Sequence, residues 1–349
     1  LTSATLRKLL QQFGLPQAVL GRKRAELAAF VPAAGLAALD SEPVASVVAR
    51  ALEWSAQVGH AVITLADDTY PRLLLEIADP PPLLYARGRV ELLARSALAI
   101  VGSRNATQQG SANAEAFARN LSETGLTIVS GLALGIDAAA HRGGLDGPGS
   151  TIAVLGTGID ILYPQRNAGL AGEIAQRGLL ISEFPLGTAP AAHNFPRRNR
   201  LISGLARGCL VVEAAVASGS LITARAAAEQ GREVFAVPGS IHSPLAKGCH
   251  ALIKSGAKLV ESAEDVLTEL SGFRPSGYAS TREPARDAAP AEGLLAHMGH
   301  DPVDVDSLCS RAGLSAEQVS SELLRLELDG RVAALPGGLY QRLEKEGRR

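Results

Sequence analysis

Only three cysteines, Cys209, Cys249 and Cys309, occur in 349 residues. Their odd number and wide spacing argue against a disulfide framework and fit reduced thiols in a cytoplasm. Neither they nor the seven histidines show zinc-ligand spacing, so no metal or other cofactor is expected. Long apolar runs are missing too. Stretches such as 98–101 and 138–140 fall far short of the ~20 residues a membrane span needs, so no membrane insertion is expected. The opening residues LTSATLRKLLQQFG lack the apolar stretch of a secretory signal, which agrees with a cytoplasmic location. Charge of one sign is also lacking. The formal net charge is −1, which excludes a globally basic nucleic-acid binder and leaves a local anion site open. Gly-Lys-Ser/Thr is absent, so there is no P-loop and no reason to expect ATP hydrolysis. Gly156-Thr-Gly158 follows an apolar run, but position 161 is Ile, and the missing third glycine argues against NAD.

What remains is globular, 46% hydrophobic with 36 Gly and 19 Pro, and long enough for two or three domains. Residues 1–60 read as short helices, LRKLLQQFG, QAVLGRKRAELAAF and PVASVVARALEW, broken by Gly14, Pro16, Gly35 and Pro43. Pro80, Pro81 and Pro82 then set an extended approach to the next unit. From Ala97 onward apolar runs alternate with helical patterns: LAIVG, LTIVSG, STIAVLG, LLISE, CLVVEA, EVFAVPG and AKLVES. Short β-branched runs buried on both faces and separated by helices predict an α/β fold with a doubly wound, mostly parallel, Rossmann-like sheet over 61–270. Residues 271–289, rich in Ser, Pro and Gly, read as a linker. Over 290–345, two short helices, a longer helix with apolar Val319, Leu323, Leu324 and Leu328, and a hairpin RVAAL-PGG-LYQR describe a winged-helix domain.

In such a sheet, ligands sit beyond the carboxyl ends of the strands, where loops enter helix N-termini. Three loops there carry the groups an anion needs: Gly102-Ser103-Arg104, Ser130-Gly131 through Gly135, and Ser218-Gly219-Ser220 leading to Thr223. Each offers backbone N–H groups, a hydroxyl and a helix dipole, although Gly and Ser also serve turn geometry in any such loop. The run His193-Asn194-Phe195-Pro196-Arg197-Arg198-Asn199-Arg200 packs three guanidinium groups, amides and a ring together with no acid. Arginine forks match phosphate oxygens, and Phe195 offers a face to a base. The competing reading makes Pro196 a helix start, the arginines solvated and Phe195 core. Asp137 and His141 are i, i+4 and Glu213 ends a strand, the outline of an acid–base pair. With no nucleophile, metal ligand or Gly-x-Ser-x-Gly elbow beside them, a structural role is preferred.

Seven motifs in order over about 98–262 resemble the bacterial DNA processing protein A family (DprA, also called Smf): AIVGSRNAT, SGLALGIDAAAH, TIAVLGTGIDILYP, SEFPLGTAP, FPRRNRLISGLA, VVEAAVASGSLITARAAAEQGREVFAVPG and LIKSGAKLV. Residues 1–60 resemble the family's SAM-like or helix-hairpin-helix domain, and the C-terminal part its winged helix. The resemblance implies a non-enzymatic protein that binds single-stranded DNA, protects DNA entering during natural transformation, helps load the RecA recombinase and works as a homodimer. It also implies Arg104 as a principal phosphate contact beside Gly102 and Ser103, and a basic residue after Tyr-Pro, placed at Arg166. Phe195, Arg197, Arg198, Asn199 and Arg200 would contribute, some of them bracing the fold.

Two other functions compete. A nucleotide phosphoribohydrolase of the lysine-decarboxylase-like group would share the fold, but its Pro-Gly-Gly-x-Gly-Thr motif is absent where Glu213-Ala-Ala-Val-Ala-Ser-Gly-Ser stands. A duplex-reading regulator is disfavoured by the longest helix of the winged module, where Glu317, Glu322, Glu327 and Asp329 face Arg325 alone. That helix is expected to meet protein.

Overall fold

A computed structural model describes residues 3–39, 42–270, 293–299 and 301–343; the expected linker over 271–289 lies outside them. The chain opens with α1 (Ser3–Phe13), α2 (Pro16–Leu20), α3 (Arg24–Leu27), α4 (Ala33–Leu39) and α5 (Glu42–Ser55). Leu9, Val19, Leu27 and Val31 form the core that the first helices share. The single helix expected over QAVLGRKRAELAAF is two, because the chain breaks after Leu20, where Gly21 caps α2. α5 leaves this bundle and sets Trp54 edge-on against Tyr85, with ring centroids 5.6 Å apart.

Next come β1 (His60–Thr64), α6 (Arg72–Leu75) and β2 (Leu83–Gly88), then β3 (Ala97–Val101), α7 (Gln108–Glu123), β4 (Thr127–Ser130), α8 (Ile136–Asp146), β5 (Thr151–Val154), α9 (Ala168–Arg177) and β6 (Leu179–Ser182). The core ends with α10 (Asn194–Gly204), β7 (Gly208–Val211), α11 (Ser220–Glu229), β8 (Glu233–Ala236), α12 (Lys247–Lys254), β9 (Lys258–Leu259) and α13 (Ala263–Glu269). All nine strands join one sheet in the order β1-β2-β6-β5-β4-β3-β7-β8-β9.

From β6 to β9 every neighbouring pair is parallel. β1 and β2 add an antiparallel edge, with β2 paired to β6. β2 begins directly after Pro80, Pro81 and Pro82, where an extended chain is expected. Both faces of the parallel strands are covered. In β3, Ala97, Ala99 and Val101 enter one core and Leu98 and Ile100 the other, the period-two alternation that a doubly covered sheet requires.

The C-terminal unit holds β10 (Val303–Asp304), α14 (Val305–Ala312), α15 (Ala316–Leu328), β11 (Val332–Leu335) and β12 (Leu339–Arg342). Ser315 and Gln318 form a capping box that starts α15. The apolar face of α15 is Val319, Leu323 and Leu326, spaced i, i+4, i+7. Leu324 and Leu328, the other two leucines of the helix, are 59% and 81% exposed.

Candidate functional site

Strand order reverses between β3 and β7, whose following helices cross to opposite sides, and the carboxyl ends of the strands part there. A crevice of about 870 Å³ opens at that point.

Its first wall is the loop after β3. Gly102 is required by crowding, since a Cβ would lie 2.6 Å from Ile136 Cγ1 and 2.8 Å from the Glu213 carbonyl oxygen. Ser103 is buried, its N–H donating to Glu213 O at 2.7 Å and its carbonyl accepting from Ile136 N. Glu213 faces away from the crevice. Its carboxylate accepts from Thr107 N at 2.9 Å and Thr107 Oγ1 at 2.6 Å, and Thr107 Oγ1 in turn accepts from Gly110 N to cap α7. With both ends of the loop fixed, Arg104 projects from it. Its guanidinium carbon lies 5.7 Å from the centroid of the Phe195 ring, and no carboxylate pairs with it among the described residues.

The loop after β4 serves differently. Ser130 Oγ is spent on Ile100 O at 2.6 Å and Gly131 N on Asp137 Oδ2 at 3.1 Å, so both residues stand behind the crevice and do not line it. Ala133 and Asp137 take their place in the lining. Asp137 also accepts from Ala133 N; burial pushes its carboxyl above the usual range, opposed by the Arg198 charge. His141 does not pair with Asp137. Its Nε2 accepts from Leu132 N at 3.2 Å, so the ring proton sits on Nδ1, which donates to Thr151 Oγ1 at 2.7 Å. Burial first, then Arg198 and Arg142, push the imidazole down to about 3, and it stays neutral. Asn167 closes the loop from the other side, donating Nδ2 to Leu132 O at 2.8 Å and Ala133 O at 3.1 Å.

Helix geometry divides the arginine run. Phe195, Arg198 and Asn199, at i, i+3 and i+4 of α10, line the crevice. Arg198 is only 4% exposed; its NH1 donates to Val154 O at 2.7 Å while its Nε has no partner. Burial holds its charge less firmly, down to about 10, with Asp137 acting in its favour and Arg104 against. Arg197 and Arg200 occupy another face. Both donate to Glu183 Oε2, at 3.1 and 2.5 Å, and Arg200 also pairs with Asp79 at 3.4 Å. Glu183 is buried and its carboxyl is raised by desolvation, against the pull of both arginines. Glu183 thus holds both arginines, Arg200 largely buried and Arg197 about half exposed.

The third wall is the start of α11. Ser218 Oγ and Ser220 Oγ lie 2.7 Å apart, Gly219 has open space where a Cβ would be, and all three line the crevice with the buried Thr223. Arg166 sits in a short 3-10 turn (Gln165–Asn167), exposed and outside the lining.

The structure therefore brings together Gly102, Ser103, Arg104, Phe195, Arg198, Asn199, Ser218, Gly219, Ser220 and Thr223. It leaves Ser130, Gly131, Arg166, Arg197 and Arg200 out of that surface. Sequence reasoning missed Tyr163, which lines the crevice 5.6 Å from Phe195, and Glu183, which holds two arginines. A lone carboxylate directly after the buried strand LLIS, facing an arginine run without acid, was the available signal for Glu183.

Comparison with known proteins places this geometry. Residues 61–271 match the family described as DNA recombination-mediator protein A, and residues 279–338 match the DprA winged helix domain. Protein Smf of Escherichia coli is 44% identical over 305 residues, covering 85% of this chain and 81% of that protein. DNA processing protein DprA of Streptococcus pneumoniae is 50% identical over 206 residues, 59% of this chain and 73% of that protein. The X-ray structure of DprA from S. pneumoniae superposes with a TM-score of 0.70 at 40% identity, covering 78% of this chain and 95% of that one. DNA processing protein A from Helicobacter pylori, whose structure describes a single-stranded DNA binding mode, superposes with a TM-score of 0.55 at 31% identity, covering 59% of this chain and 94% of that one.

Proposed function

The chain belongs to the DNA recombination-mediator protein A family, and on that premise we propose that it binds single-stranded DNA in the crevice between β3 and β7. The observation that carries this is the Arg104 guanidinium, paired with no carboxylate among the described residues, set over Phe195 at the mouth of a crevice backed by Arg198. An exposed cation free of carboxylates suits a phosphate, and the rings beside it suit a base. The strand lies across Gly102-Ser103-Arg104 and the α11 start at Ser218-Gly219-Ser220. Arg198 adds positive potential from behind, and Arg166 meets the backbone outside the crevice.

Binding without covalent chemistry is supported by what the acid and base groups are doing. Glu213 is held by Thr107, Asp137 by Gly131 and Ala133, and His141 by Leu132 and Thr151. The same commitment of Glu213 weighs against a nucleotide phosphoribohydrolase, which needs a carboxylate at the pocket. The wider role is protection of DNA entering during natural transformation and assistance in loading RecA, in the cytoplasm, as a homodimer. Two crevices on one strand gain avidity that a charge-balanced protomer lacks.

The test is a mobility shift with single- and double-stranded oligonucleotides, comparing wild type with Arg104→Ala. Preferential retardation of the single strand, weakened by the substitution for every sequence alike, is expected. Equal binding of duplex, or release of free base from nucleoside monophosphates, would remove the proposal.

A further inference from the structure

The crevice carries two aromatic rings, and they are not equivalent. Phe195 is enclosed. Its ring presses on Gly156, where a Cβ would lie 2.7 Å from Cδ1, and the Arg104 guanidinium stands 5.7 Å over it. The Tyr163 ring meets it at 5.6 Å and 40°. Three neighbours thus crowd Phe195, and a nucleobase stacking on the face under Arg104 would have to displace the guanidinium. Tyr163 has no such cover. It is 45% exposed, lies on the crevice lining, and its hydroxyl has no hydrogen-bond partner among the described residues. A tyrosine exposed at the mouth of a groove, with its rear resting on a second ring, is a rigid stacking platform of low entropic cost.

We infer that Tyr163 is the base-stacking residue of this site, and that Phe195 acts behind it by holding Arg104 towards the phosphate. This rests on the crevice binding single-stranded DNA. The division of labour follows from chemistry: the guanidinium takes the backbone charge, and the phenol ring takes the face that every base possesses. Stacking of this kind tolerates sequence, so the site needs no base-edge readout. The Tyr163 hydroxyl plays no part in it.

The experiment separates ring from charge. Fluorescence anisotropy measures binding of the full chain to a labelled oligodeoxynucleotide and to a strand of equal length built from abasic sugar-phosphate units. Wild type is compared with Tyr163→Phe, Tyr163→Ala, Tyr163→Leu and Arg104→Ala. Tyr163→Phe should match wild type on both strands. Tyr163→Ala and Tyr163→Leu should bind the normal strand roughly tenfold more weakly, the scale of one stacked base, and should equal wild type on the abasic strand. Arg104→Ala should lose affinity on both. Tyr163→Leu keeps apolar bulk without a π face, so it answers the question even if the alanine variant folds poorly. The assignment fails if both truncations bind the normal strand as wild type does, or lose as much on the abasic strand. A wild type that binds neither strand instead defeats strand binding itself, and the stacking role with it.

Discussion

The guanidinium of Arg104, on the loop after β3, stands over the ring of Phe195, in the first turn of α10. Two motifs 91 positions apart in the chain are thereby joined into one surface on the side of the sheet where the strand order reverses. Neither residue is held by a carboxylate among the described residues, so the cation is oriented by a π face and left free for a ligand anion.

That arrangement makes the two side chains separable in a salt titration. Arg104→Ala should remove one phosphate contact, lowering affinity for single strands of any sequence and reducing the slope of log K against log salt by about 0.7, the single-strand value per contact. Phe195→Leu should keep the charge but release its orientation. Affinity should then fall by roughly two- to fivefold, the scale of an exposed cation–π contact, with the salt slope unchanged. A slope that falls equally in both variants would contradict the separate roles.

Gly131 lies outside the crevice lining and holds a strict structural place. A Cβ there would lie 1.8 Å from Arg198 NH1, and Arg198 is buried and tied to Val154 O. Gly131→Ala should cost about 2–4 kcal/mol in urea unfolding, because the guanidinium must leave Val154 O to make room. Arg198→Met should cost about 3 kcal/mol by leaving the buried Asp137 carboxyl without its counter-charge. Both effects should persist without DNA, which distinguishes them from the Arg104 effect.

His141 supplies a pH test. Its folded value of about 3 lies below the ordinary 6.5, so the unfolded chain binds the proton first. Its contribution is therefore complete above about pH 6.5 and is lost as pH falls towards 3, with a slope of up to roughly 1.4 kcal/mol per pH unit. Asp137 and Glu183 are shifted upwards, so their protonation on folding works in the opposite direction. Comparing wild type with His141→Gln isolates the imidazole. The variant should be less stable at pH 7 and should lose less stability on going to pH 4.5, as read from urea midpoints.

The five inner parallel strands, β3 to β7, were legible because each is an apolar run such as ALAIV or TIVS, buried on both faces and bounded by turn residues. The antiparallel edge was not. HAVIT and LLYARG are short and mixed in polarity, and β2 pairs with β6 across some ninety residues of chain, a contact no local pattern announces. The site was legible in its members and illegible in its sides. FPRRNR names the right cluster, but which arginine faces the crevice depends on where α10 begins. Starting it at Asn194 sends Arg198 inward with Phe195, and Arg197 and Arg200 to Glu183. Ser130 and Gly131 have the composition of a phosphate loop, but sequence does not show that their donors are engaged by Ile100 O and Asp137.

The C-terminal unit yields the last prediction. α15 is the helix that a duplex-reading winged helix would lay in the major groove. Its solvent side carries Glu317, Glu327, Leu324 and Leu328, and Arg325 is engaged with Glu322 at 3.2 Å. The carboxylates repel a phosphate backbone, and the exposed leucines suit a protein surface. A chain ending at residue 285 should therefore keep single-strand affinity within about threefold of the full chain, given that each tenfold loss would require about 1.4 kcal/mol of contact from the missing unit. Glu317→Lys with Glu327→Lys in the full chain should raise duplex affinity at low salt, since it replaces repulsion by two phosphate-directed cations. Loss of most single-strand affinity on truncation, measured by anisotropy at fixed salt, would instead place strand contacts on this unit.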